Sequence, residues 1–174
     1  CALPILEKLT LIIPAKDEAE SLPKVLSELK NYSYNIIIIL EKSDIKTLEA
    51  IKNFKCKIVY QSGRGYGNAL IEGIKNVETN YLCIFNADGS FDPKYLNEML
   101  KIAENNIDFV FGSRYMKGAG SEDDTFLTIV GNYFFSIFGK FFFSLKISDI
   151  LFTYLLGKTQ SFKNLNLQSN DFCL

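Results

Sequence analysis

Short apolar runs that recur between stretches of helical spacing constrain this chain more than any other feature. Leu9–Pro14, Tyr34–Leu40, Lys57–Tyr60, Tyr81–Phe85 and Phe109–Gly112 read as strands. Their apolarity is nearly continuous rather than alternating, the mark of strands covered on both faces, as in a parallel sheet. Between them Leu22, Val25, Leu26 and Leu29 fall at helical spacing, as do Leu96, Met99, Leu100 and Ala103. Asp92-Pro93 gives the latter helix an N-cap carboxylate and a first-turn proline. The β-α-β-α order predicts an α/β fold built on a doubly wound, mostly parallel sheet flanked by helices. Ligands of such a fold bind in the loops beyond the carboxyl ends of the strands.

A chain of 174 residues, 48% hydrophobic and 22% charged, has material for one packed domain. One domain is therefore expected over 1–174. A net charge of −1 gives no general pull toward a polyanion, so nucleic acid is not an expected partner. No histidine is present, which removes the usual triad base and the commonest zinc ligand. Chemistry must then run on carboxylates, amides, hydroxyls, backbone amides or a hard cation. Cys1, Cys56, Cys83 and Cys173 lie far apart without a C-x-x-C pair, which suits reduced thiols and a cytoplasmic setting. The start at Cys1 and the stop at Leu174 are read as truncations at both ends.

Three stretches beyond strand ends carry the candidate chemistry. Phe85-Asn86-Ala87-Asp88-Gly89-Ser90-Phe91-Asp92-Pro93 closes a strand with an amide and a carboxylate two positions apart. On an extended chain such side chains point the same way, so Asn86 and Asp88 are placed to converge on one ligand. A hard cation needs few protein ligands when phosphate oxygens and waters complete its shell. Equally, Asp88-Gly89 reads as a plain turn, and spacing does not choose between the two. Gly63-Arg64-Gly65-Tyr66-Gly67-Asn68-Ala69 opens a helix carrying Leu70, Gly73 and Ile74. Arg64, the open backbone at Gly65 and the helix N-terminus together favour a diphosphate. It is not a Walker A loop, since Gly-Lys-Ser/Thr is missing. The first strand runs into Ile13-Pro14-Ala15-Lys16-Asp17-Glu18-Ala19-Glu20-Ser21-Leu22, whose acids by themselves complement a helix dipole.

Together these stretches resemble the family 2 glycosyltransferases, enzymes of GT-A fold, in both order and spacing. The resemblance implies that Pro14, Ala15, Asp17 and Glu18 contribute to a nucleotide-sugar pocket. It implies that Asn86, Ala87 and Asp88 form the D-x-D region, with Asp88 and Asn86 holding Mg²⁺ or Mn²⁺. Two departures stand out: Asn86 replaces the first aspartate, and Leu40-Glu41-Lys42-Ser43-Asp44 replaces the family's Asp-Asp-Gly-Ser. Glu41 then stands where the base or ribose contact is expected. Gly112-Ser113-Arg114-Tyr115 is a further stretch of family character.

Beyond residue 113 the composition shifts, through a Gly- and acid-containing loop over 117–124, to an aromatic segment from Phe126 to Leu145. Asn132, Gly139 and Lys140 interrupt it, which argues against a membrane span and for an amphipathic helix that packs on the domain and touches a membrane surface. Gly131-Asn132 and Ser148-Asp149 resemble the acceptor side of polyprenyl- and dolichol-phosphate sugar transferases, with Arg114, Asn132 and Asp149 as acceptor-side candidates. By itself Asp149 reads equally as a helix cap or a surface carboxylate. The family's Gly-Phe-Arg is replaced by Phe152-Thr153-Tyr154-Leu155, without its arginine. On this reading 1–115 binds the nucleotide-sugar and 116–174 faces the acceptor.

The implied reaction is inverting transfer of a sugar from a UDP- or GDP-linked donor, with Asp88 and Asp149 as the candidate catalytic carboxylates. A lipid-phosphate acceptor is already anionic and needs no general base; a glycan hydroxyl does, and Asp171 is the nearest candidate for one. The implied setting is the cytoplasmic face of a membrane. The alternatives are a hydroxyl-directed transferase of polysaccharide synthesis and a nucleotide-sugar-binding module without catalysis. A nucleotidyltransferase is disfavoured, because no glycine-rich basic loop follows the first strand.

Overall fold

The computed structural model describes residues 8–116, 126–145 and 147–168. The 117–124 loop, Cys1, Asp171 and Cys173 lie outside the described residues. Two compact units emerge, one of Cys1–Val110 with Leu156–Leu174 and the other of Phe111–Leu155.

The chain runs β1 (Leu9–Ala15), α1 (Leu22–Leu29), β2 (Asn35–Leu40), α2 (Ile45–Ile51), β3 (Lys57–Tyr60), α3 (Tyr66–Lys75) and β4 (Tyr81–Ile84). A 3₁₀ turn (Pro93–Tyr95) then leads into α4 (Leu96–Glu104), β5 (Phe109–Phe111), α5 (Phe126–Phe143), β6 (Leu155–Lys158) and α6 (Thr159–Asn164). The six strands form one sheet in the order β3-β2-β1-β4-β6-β5. β1 pairs in parallel with β2 on one side and β4 on the other, and β2 with β3.

The apolar runs become strands because both their faces are covered. Leu9, Leu11, Ile12, Ile13, Ile38 and Ile39 are entirely buried, all on β1 and β2, two interior strands of the sheet. α1 turns Leu22, Val25, Leu26 and Leu29 inward and leaves Lys24, Ser27 and Glu28 on the outside. α3 lies close on β1 and β2 at Gly73, where a Cβ would come within 3.0 Å of Ile39 Cδ1. Asp92 caps the 3₁₀ turn that leads into α4 rather than α4 itself, accepting the Lys94 amide at 2.9 Å.

All five expected strands form, with ends that differ by at most one residue. The sixth, β6, is not expected from the sequence. Leu155-Leu156-Gly157-Lys158 is short and contains a glycine, which weakens any strand signal. The glycine is required by packing: a Cβ at Gly157 would lie 2.3 Å from the Asp108 carbonyl oxygen. The Lys158 amide donates to that carbonyl at 3.0 Å and the Gly112 amide to the Tyr154 carbonyl at 2.8 Å, an antiparallel pattern. The sheet is therefore mixed, parallel through β3-β2-β1-β4 and antiparallel between β6 and β5.

Candidate active site

In an open α/β sheet the ligand crevice opens beyond the carboxyl ends of the strands, where the winding reverses direction. Here that point lies between β1 and β4, since β2 and β3 extend the sheet to one side of β1 and β4 to the other. Ile12 is level with Ile84, and the Phe85 amide donates to the Ile12 carbonyl at 3.0 Å. The end of β1 at Pro14 and Ala15, with Asp17 and Glu18 in the loop after it, and the loop holding Asn86, Ala87 and Asp88 therefore flank the reversal. Ala15 is level with Leu40, and Leu40 with Tyr60. Parallel pairing thus carries Glu41, Arg64 and Gly65 to the same edge.

Asn86 and Asp88 meet through Ser90. The Ser90 amide donates to Asp88 Oδ1 at 2.9 Å, and Asn86 Nδ2 donates to Ser90 Oγ at 3.1 Å. Gly89 makes the turn possible with φ of 87°. Asp88 is thus both a turn residue and an exposed carboxylate, so the two sequence readings are compatible. Asp88 Oδ2 and Asn86 Oδ1 are the oxygens that these bonds do not use, hard donors that suit Mg²⁺ or Mn²⁺. Among the described residues no cluster of three or more acidic, cysteine or histidine side chains could hold a metal. A cation held by these two oxygens would need phosphate oxygens or water to complete its shell.

At the β3–α3 connection, Gly65 takes φ of 93° and caps the helix without a side-chain bond. The loop is braced from within: Asn68 Oδ1 accepts the Gly63 amide at 2.9 Å. Arg64 is exposed, beside a helix start whose partial positive charge favours an anion. After β2, Glu41 pairs with Lys16 at 3.2 Å, which couples the β1 and β2 loops. The Glu18 carboxylate accepts the Ser21 hydroxyl. A cavity of 430 Å³ opens beside Asp17, Glu18, Glu20, Ser21 and Lys46. A larger one of 670 Å³ lies at the strand starts, among Thr10, Asn35, Lys57 and Thr79. Size does not identify the site here, because it is the carboxyl edge that gathers the loops.

The acceptor-side candidates all fall in Phe111–Leu155. Asp149 is 1% exposed, so it is not a surface carboxylate. Both its oxygens are held by Arg114: Nε donates to Oδ2 at 2.8 Å, Nη2 to Oδ1 at 3.0 Å, and the Arg114 amide to Oδ2 at 3.1 Å. The Arg114 guanidinium also lies 5.0 Å from the Phe152 ring and 5.4 Å from that of Tyr115. Asn132 is buried and accepts the Leu151 amide at 3.2 Å, while Ser136 donates to the Ser148 carbonyl at 3.4 Å. A Cβ at Gly139 would sit 3.1 Å from Ile150. Asn132, Ser136 and Gly139 thus form one stripe of α5, on which the turn through Ser148 and Ile150 packs.

The outer face of α5 is aromatic. Tyr133, Phe134, Phe135, Phe138, Phe141, Phe142 and Phe143 are exposed, Phe141 to 81%. The residues that interrupt the apolar run are largely the ones that pack, and the apolar ones face outward. No described helix is long and apolar enough to cross a membrane. No sequence signal marks the Lys16–Glu41 pair, Ser90 as a bridge, or Thr47 as a partner of the loop after β1. Asp44, set before the apolar positions Ile45, Leu48 and Ile51, does carry a readable signal, that of an N-cap.

Comparison with known proteins agrees with this geometry. The family model for glycosyl transferase family 2 matches residues 10–165. A dolichol-phosphate mannosyltransferase of Pyrococcus furiosus is 27% identical over 125 residues, covering 67% of this chain and 36% of that protein. Glycosyltransferase AglJ of Haloferax volcanii is 26% identical over 174 residues, covering 98% of this chain and 56% of its own length. The chain thus spans between about a third and just over half of these relatives. Among solved structures, mannosyl-3-phosphoglycerate synthase of Rubrobacter xylanophilus superposes with a TM-score of 0.66 at 14% identity, over 88% of this chain and 53% of that one. S. aureus TarS superposes with a TM-score of 0.56 at 13% identity, over 91% and 49%. At these identities the likeness speaks for the fold, which is the GT-A arrangement.

Proposed function

The chain belongs to glycosyl transferase family 2, and from that premise we propose that it transfers a sugar, with inversion, from a nucleotide-sugar to a polyprenyl phosphate at a membrane surface. The observation that carries this reading is the gathering of Asp17, Glu18, Glu41, Arg64, Asn86 and Asp88 at the carboxyl edge, around the winding reversal. In the reaction an acceptor oxygen forms a bond to the anomeric carbon while the bond from that carbon to the diphosphate oxygen breaks, and the nucleoside diphosphate leaves. A bound Mg²⁺ or Mn²⁺ supplies Lewis-acid stabilisation of the departing charge.

Each group has a distinct task under this proposal. Asp88 Oδ2 and Asn86 Oδ1 would hold the cation. Arg64 and the start of α3 receive the diphosphate. Pro14, Ala15, Asp17, Glu18, Glu41 and Ala87 wall the nucleoside. Asp149 steers Arg114 rather than moving a proton, because Arg114 occupies both its oxygens. A buried, fully paired carboxylate suits an acceptor that arrives already ionised. The similarity to a dolichol-phosphate mannosyltransferase supports the same acceptor class, as does the aromatic outer face of α5, which suits an interface between headgroups and acyl chains.

Calorimetric titration of the protein with UDP, GDP and their sugars, with and without Mn²⁺, tests this reading. Metal-dependent binding is expected, with affinity lower by about 100-fold in Asp88→Ala. The fold of Asp88→Ala is expected to persist, since the residue is exposed. Failure of the folded protein to bind any nucleotide-sugar sinks the proposal, and binding without turnover on lipid-phosphate acceptors favours a module that recognises donors only.

A further inference from the structure

Asp17 stands at φ of 58°, a left-handed conformation that costs a non-glycine residue free energy. The hydrogen bonds around it show what fixes it there. The Asp17 amide donates to Asp44 Oδ2 at 2.9 Å. Asp44 Oδ1 accepts the Thr47 amide at 3.1 Å, capping α2. The Thr47 hydroxyl, in a residue with no exposed surface, accepts the next loop amide, that of Glu18, at 3.0 Å. Two successive amides of the loop after β1 are thereby tied to two residues at the start of the helix after β2.

We propose that Asp44 and Thr47 are positioning residues of the donor site, a clasp that fixes the loop of Asp17 and Glu18 in its binding conformation. This rests on the nucleotide-sugar reading of the same site. Two features separate the clasp from an ordinary helix cap. A cap needs one acceptor oxygen, whereas Asp44 uses its second oxygen on a residue 27 positions away. The tie also joins the loops already linked by Lys16 and Glu41, so separate contacts bind the walls after β1 and β2 to each other. The contacts favour the ionised form of Asp44: desolvation raises its pKa, but the Thr47 hydroxyl and the Asp17 and Thr47 amides, with Lys16 nearby, outweigh that and leave it below the usual carboxylate value.

Replacing Asp44 with asparagine separates the two roles. The side-chain oxygen of the variant still caps α2, because asparagine is as good an N-cap as aspartate. Its amide nitrogen, a donor, then meets the Asp17 N–H, also a donor. The clasp opens while the helix stays capped.

The test compares the whole protein with its Asp44→Asn variant, using hydrogen exchange at the Asp17 and Glu18 amides alongside KM and kcat for the nucleotide-sugar donor. Faster exchange at both amides and a KM higher by about tenfold are expected, with kcat within about twofold and thermal stability close to the parent. Asp44→Ser, whose hydroxyl also caps α2 but is one atom shorter, is expected to reproduce the KM effect. Unchanged exchange overturns the clasp. Faster exchange with unchanged KM, or equal losses in kcat and stability, overturns the positioning role while leaving the glycosyltransferase reading intact. Absence of donor binding in the parent overturns that reading and the positioning role with it.

Discussion

α1 and α5 solve opposite problems with the same periodicity. α1 buries four aliphatic side chains and presents charge and hydroxyl outward, as a helix facing water does. α5 packs through Asn132, Ser136 and Gly139 and presents a row of aromatic rings. The first pattern is set by the protein core. The second makes sense only if its outer face meets something apolar, because a continuous exposed aromatic surface of this size is otherwise an aggregation liability. The units differ likewise in their carboxylates. Asp88, at the sheet edge, is exposed and keeps an oxygen open, whereas Asp149 is buried and bound on both sides. An open carboxylate can meet a cation. A closed one is a strut, and the two therefore respond differently to deletion.

The largest expected effect falls on the strut. Asp149→Ala removes the acceptor of three hydrogen bonds from the Arg114 amide and guanidinium and empties a fully buried position, and losing hydrogen bonds to a charged group costs about 1.5–3 kcal/mol. Urea denaturation followed by tyrosine fluorescence is expected to show that loss. A loss below about 1 kcal/mol would make Asp149 as dispensable to folding as an exposed carboxylate.

The outer face of α5 comes next. Phe141 and Phe142 are 81% and 62% exposed, so replacing both with serine is expected to leave folding stability within about 0.5 kcal/mol of the parent. Binding to phospholipid vesicles is expected to weaken by about tenfold or more, since each ring withdrawn from an apolar layer forfeits roughly 1.5–3 kcal/mol. A sedimentation assay with sucrose-loaded vesicles reads the second quantity. A marked destabilisation with unchanged vesicle binding would assign the rings to folding instead, and the contrast with α1 would disappear.

The same contrast explains what is legible in the sequence. The sheet is readable because Leu9–Ala15 and Asn35–Leu40 are largely buried on both faces, a condition that leaves an unbroken apolar run. The edge-site residues are readable because strand ends and glycine turns have local signatures, at Gly65 and Gly89 above all. In α5 the helix is readable but its packing face is not, because polar and small residues in an apolar run register as interruption rather than as a packing stripe. Asp149 and Arg114, 35 residues apart, pair through tertiary structure that no local spacing announces. β6 stays hidden because its glycine answers to the Asp108 carbonyl, a contact across strands.

The smallest expected effect tests whether the sheet loops are held by ionised surface groups. Asp44 is bound as a carboxylate in the fold, and its pKa lies below the ordinary value. The sign follows: the folded form prefers the deprotonated state more than the unfolded chain does. Its contribution is therefore complete above the unfolded pKa, about 3.9 for aspartate, and is lost as pH falls through the lower folded value. Asp92 and Asp108 are also lowered, the first by hydrogen bonds and charge from Lys94 that overcome desolvation, the second by Lys158 and Ser161, so acid destabilises the parent through several groups at once. Only the difference between parent and Asp44→Asn isolates this one. Melting temperatures from about pH 6 down to about pH 3 are expected to run parallel at the upper end and to converge below about pH 4, as the parent loses what the variant never had. A constant gap across the range would mean that Asp44 holds the loop by shape alone, and its charge would then have no part in keeping Asp17 left-handed.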